Sequence, residues 1–205
     1  MNITDLLQGP MGDILISQVS KQLGVNNQDQ TKTAVNGTVI TLLNALTQNA
    51  SKPGGADALL SALNRDHDGS ILNDLAGFLS GKKNVENPST LNGAGILKHV
   101  LGGKQEAAVE TISKQSGLDS GKVAQLMITL APVILGMLGK AKAQTGNNQS
   151  GLLDLLKSST KTVNKQNPNA SIFTKMLDKD GDGSIMDDLA GMGMKAIFNR
   201  FLGKK

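Results

Sequence analysis

The chain has 205 residues, no Cys, Trp or Tyr, four Phe and a formal net charge of +4. Without cysteine it can form neither a disulfide nor a thiolate nucleophile or Cys-based zinc site. With 2% aromatic residues it lacks the platforms for stacking bases or sugars, and Leu, Ile, Val, Met and Ala must fill its core, a composition that favours helices.

In chain order, the start MNITDLLQGPMGD lacks a basic region followed by an apolar stretch and does not read as a secretory leader, so a cytoplasmic location is expected. Ile14, Ile16, Val19 and Leu23 fall within about three helical turns that close at Gly24. Asn26 or Asn27 then caps a long helix whose apolar face includes Ala34, Val35, Val39, Leu42, Leu43 and Leu46, and Pro53-Gly54-Gly55 breaks it. Residues 56–63 form a helix entering an acidic loop over residues 64–74, and residues 73–79 form the helix leaving it. Residues 82–92 are polar, contain Pro88 and read as a linker, with a short helix expected at 96–101. Helices are predicted at 109–115, 123–138, 172–177 and 187–201, and the polar stretch 144–170 is expected to be a long connection. The apolar run 126–138, interrupted by Thr129, Pro132 and Gly136, is shorter than the ~20 residues of a membrane span and reads as a buried core helix.

Two passages recur. SILNDLAG from Ser70 matches SIMDDLAG from Ser184, and SKQLGV from Ser20 matches SKQSGL from Ser113. The expected architecture is therefore an all-α, internally duplicated helical bundle. Its first repeat is 1–85, a linker and short helix occupy 86–104, and the second repeat is 105–205.

The candidate chemistry lies in the acidic loops. DKDGDGS from Asp178 places carboxylates at positions 1, 3 and 5 and glycine at 6, the alternation that lets a short chain curl around a hard cation needing six to eight oxygens. The expected ligands are Asp178, Asp180, Asp182, the Ser184 carbonyl and Asp187 or Asp188, with Ile185 anchoring the loop. NRDHDGS from Asn64 repeats the design with Asn64, Asp66, Asp68, the Ser70 carbonyl and Asp74. Two Ca²⁺ ions in EF-hand-like or dockerin-like loops follow, although position 12 is Leu75 or Leu189 instead of the usual Glu. Five aspartates in the second loop would repel at short range without a cation; the competing reading is of Asp/Gly turns and helix caps.

Elsewhere the chemistry is thin. His67 is expected to project to solvent, and His99 beside Lys98 to be incidental. No nucleophile set, zinc pattern or phosphate loop stands out, so the chain is not expected to be an enzyme. Met186, Met192 and Met194 are either core filler or an adaptable partner groove. Lys82, Lys83, Lys195, Arg200, Lys204 and Lys205 are either solvated charge or a phosphate-binding surface.

LLQGPMG from Leu6, GAGILKHVLGGK from Gly93, SGLDS from Ser116, LAPV from Leu130 and both acidic loops together resemble the YidB-like bacterial domains of unknown function, notably a longer Bacteroidetes form. The resemblance implies an all-helical fold and no established activity. The expected function is that of a calcium-stabilised, non-catalytic module binding a protein partner or itself; a calcium sensor, or a basic-surface binder of nucleic acid or anionic membrane, is the alternative.

Overall fold

In the computed structural model, residues 9–79, 92–143, 145 and 148–177 are described. The second acidic loop, the residues 187–201, the three methionines near them and the basic residues named above lie outside that set. Among the described residues the chain is all-helical, with no strand.

Helix α1 (Pro10–Leu23) starts with proline where a missing N–H costs nothing and ends on Gly24 in the left-handed region. It buries Leu15, Ile16, Val19 and Leu23. Helix α2 (Gln28–Ser51) opens on Asn27, whose side chain accepts from the backbone N–H of Asp29 and Gln30 at 3.0 and 3.3 Å. Its sequence is not uniformly apolar, yet Thr31, Thr38, Thr41 and Asn44 are buried along with its aliphatic residues, because helices pack around it on several sides.

After the Pro53-Gly54 break come α3 (Gly55–Arg65), a 3₁₀ turn (Ser70–Asp74) and α4 (Leu75–Leu79). The helix leaving the first acidic loop thus begins as 3₁₀ and becomes α only from Leu75. The chain returns as α5 (Gly93–Leu101), capped by Asn92, then α6 (Gln105–Ser116) and α7 (Ser120–Lys142). The corner from α6 to α7 uses the same devices as that from α1 to α2: Gly117 is left-handed, and the Asp119 side chain accepts from the Lys122 N–H at 2.9 Å.

Residues 149–166 are not a connection but helix α8 (Gln149–Gln166), followed by α9 (Ala170–Leu177). Asn148 caps α8, and Leu152, Leu156, Ser159, Thr160 and Val163 form one buried face at helical spacing. That face lies on α2 through hydrogen bonds as well as apolar contact: Thr47 and Thr160 hydroxyls are 2.9 Å apart, and the Asn44 amide donates to Asn164 at 3.3 Å.

Helices from both expected repeats share one core, with α2 packed against α6, α7, α8 and α9. Helix α7 extends well past the apolar run seen in the sequence. It is 23 residues long and meets the length and apolarity of a membrane span, but 67% of its most apolar window is buried inside the protein, as expected of a core helix. Pro132 lies within it and supplies no N–H to the Ile128 carbonyl one turn earlier. At that carbonyl stands Gly93 of α5, so close that a Cβ there would collide with it.

Candidate functional site

The first acidic loop is built onto the last two turns of α7. A Cβ at Gly139 would collide with the His67 carbonyl, and one at Gly136 would lie 2.5 Å from the Ile71 side chain. Glycine at both positions lets the loop backbone rest on the helix with no side chain between. Ile71, at position 8 of the loop, is 3% exposed and anchors the loop in the core as its pattern predicts. Gly69 at position 6 adopts φ +98°, the turn a side chain would strain.

Four of the five expected ligand residues of this loop take side-chain partners within the chain. The Asn64 side-chain oxygen accepts from the Lys142 ammonium, which is buried at the end of α7. The Asp66 carboxylate pairs with Arg65 at 2.7 Å and holds its guanidinium proton more tightly than usual, chiefly through their hydrogen bond. Asp68 accepts from the Ser70 N–H at 2.9 Å; that bond, with one from the Ser70 hydroxyl, holds its carboxyl below the ordinary carboxylate range. Asp74 accepts from the Gly77 N–H at 2.8 Å and so caps α4. Ser70 itself opens the 3₁₀ turn and is exposed. Among the described residues no three His, Asp or Glu side chains are grouped to hold a metal. In this arrangement the loop has the features of an Asx turn and a helix cap. Asp178, Asp180, Asp182, Ser184, Asp187 and Asp188 of the second loop lie outside the described residues.

His67 contradicts its expected position. It is 5% exposed, its Nδ1 is buried with no hydrogen-bond partner, and burial lowers its affinity for a proton despite the attraction of Asp66 and Asp68. The cause is the seat on Gly139, which presses the loop inward at this residue. Because the folded ring binds its proton more weakly than the unfolded one, whose pKa is near 6.5, stability is lost as pH falls below that value. In EDTA the wild-type melting temperature should fall further than that of His67→Gln between pH 7.5 and pH 5.5. Parallel pH profiles would reject this assignment.

Beside the loop, a groove of about 860 Å³ runs between the end of α2, α3 and α5. Leu46, Leu59, Ile96, Val100 and Leu135 supply its apolar lining, and Arg65, Asp66, His67 and His99 are among its polar lining residues. It is open because small residues line it: Ala50, Gly55, Ala58, Ala62 and Gly95. Asn49 fixes its width by donating to the Val100 carbonyl at 2.8 Å, tying α2 to α5. Sequence reasoning missed this feature and set both histidines aside. The run of small residues over 50–62, facing GAGILKHVL from Gly93, is the trace it leaves in the sequence.

A family model described as "Bacterial protein of unknown function (DUF937)" matches residues 5–141. The chain belongs to this family. The match runs from before α1 almost to the end of α7 and includes the groove and the first acidic loop. No curated protein and no solved structure matches the chain. In this DUF937 chain α8 and α9 lie beyond the matched residues, yet Leu152, Leu156, Val163, Phe173 and Leu177 belong to the same core.

Proposed function

We propose that this DUF937 chain is a non-catalytic, calcium-binding helical module that works by holding a segment of a partner protein in the groove between α2, α3 and α5. The groove carries the proposal. A concave, mainly apolar surface with a few polar groups in its lining is the usual form of a binding site. A binding role also suits the histidine there, because the unpartnered Nδ1 of His67 has no group orienting it for proton transfer.

Calcium enters through the second acidic loop, where Asp178, Asp180, Asp182, Asp187 and Asp188 supply the carboxylate density that a hard cation needs. An ion bound only to the folded chain stabilises it by about 2.7 kcal/mol at a hundredfold excess over Kd. Internal duplication belongs to the same proposal, supported by the repeated SKQLGV and SKQSGL passages, each closing a helix on a left-handed glycine before a side-chain-capped long helix.

Two measurements test this reading. Saturating calcium should raise the melting temperature by roughly 5–10 °C over EDTA, given about 2–4 °C per kcal/mol in a protein of this size. Equal melts would remove calcium from the proposal. A pull-down from the native host should capture a defined protein that Ala62→Glu, which puts a charge on the groove wall, no longer holds. Undiminished capture by that variant would place the interaction elsewhere.

A further inference from the structure

We infer that Lys142 is a tethered cation that closes the first acidic loop where its sequence pattern calls for a metal ion. This goes beyond the proposed function, which places calcium at the second loop.

Three observations meet here. First, the Lys142 side chain is 5% exposed and its ammonium donates to Asn64, the residue at loop position 1. A buried ammonium is tolerated only where oxygen acceptors replace the water it has lost, so the loop and the lysine meet a mutual need. Second, the loop backbone already rests on the same helix one turn earlier, with His67 on Gly139 and Gly69 against Lys140. Position 1 of the loop is thereby brought to the helix end that carries Lys142. Third, Asp66, Asp68 and Asp74 each take a donor from the protein. A divalent ion entering this loop would share those carboxylates with the donors they already hold and would stand beside a buried positive charge.

The sequence contrast agrees. The second loop begins with Asp178 and holds five aspartates, whereas the first begins with the neutral Asn64 and holds three. The lysine is supplied from 78 residues away, so the loop is closed only when α3 and α7 have come together.

A double-mutant cycle of Asn64→Ala and Lys142→Met, followed by thermal melting in EDTA, tests the pairing directly. Each single variant should melt several degrees below wild type, and the double variant should melt no lower than the worse single. Additive shifts would overturn the inference. Should Lys142→Met fail to fold, Lys142→Gln serves in its place, and Asn64→Asp should retain the wild-type melt because a carboxylate also accepts from the ammonium. Calorimetric calcium titration gives the second readout: neutralising the loop as Asp66→Asn with Asp68→Asn should leave the number of bound ions unchanged. Loss of one ion would overturn the inference. Loss of calcium response in Asp180→Asn bears on the proposed function alone, and the cycle in EDTA stands whether or not the chain binds calcium.

Discussion

Replacing Phe173 by alanine is expected to lower the melting temperature by roughly 6–20 °C, the result of losing about 3–5 kcal/mol at about 2–4 °C per kcal/mol. The ring is 2% exposed and seated on α2 at Gly37, where a Cβ would come within 2.8 Å of Cζ, beside Ile112 of α6. One side chain therefore joins α9 to both α2 and α6. Few aromatic residues are available to this core, and the surrounding aliphatics cannot fill a ring-shaped space without leaving voids. The same seat predicts that Gly37→Ala destabilises, and that Phe173→Leu added to it restores part of the loss. Differential scanning calorimetry of the four chains decides the matter. An unchanged melt for Phe173→Ala would mean that the helices beyond the matched family residues are dispensable to the core.

Gly139→Ala should be destabilising by about 1–3 kcal/mol, opposite in sign to the ordinary substitution. In a helix interior alanine normally gains up to about 1 kcal/mol over glycine, because it restricts the unfolded chain and shields the backbone. At this position the added methyl would collide with the His67 carbonyl, a backbone atom that moves only if the whole loop lifts from α7. Urea unfolding gives the test through the shift in midpoint at constant slope. A midpoint raised by the substitution would show that the loop does not rest on the helix.

Most of the helical frame was legible from residue spacing and punctuation. Ile16, Val19 and Leu23 mark the inner face of α1, although Ile14, read with them, is 51% exposed and Leu15 is buried in its place; Asn27, one of the two cap residues expected, opens α2, and Pro53-Gly54 ends it, because caps and apolar periodicity are local properties. Helix α8 escaped notice for the opposite reason. Its inner face includes Ser159 and Thr160, and its contact with α2 relies on the Thr47–Thr160 and Asn44–Asn164 hydrogen bonds, so it resembles a polar connection until its partner is known.

The candidate site divides along the same line. The turn at Gly69 and the anchor at Ile71 follow from positions within the loop and were expected. The burial of His67 and the bond from Lys142 arise from glycines and a lysine on a helix far along the chain. No pattern within eleven residues of loop can report who sits beneath it. The groove is of this kind as well, since its walls come from helices far apart in the chain and its depth from the small residues that line it.

The backbone contacts on α7 have a consequence for how this chain selects a single native packing. A core made almost wholly of aliphatic side chains offers many nearly equal ways for helices to slide past one another, because hydrophobic attraction has no direction and similar residues can exchange places. Gly93, Gly136 and Gly139 remove that freedom. A shift of α7 by one residue against either α5 or the loop would drive a Cβ into a carbonyl or an isoleucine. The three glycines act as a steric index, and they supply the discrimination that a richer set of aromatic shapes provides in other cores.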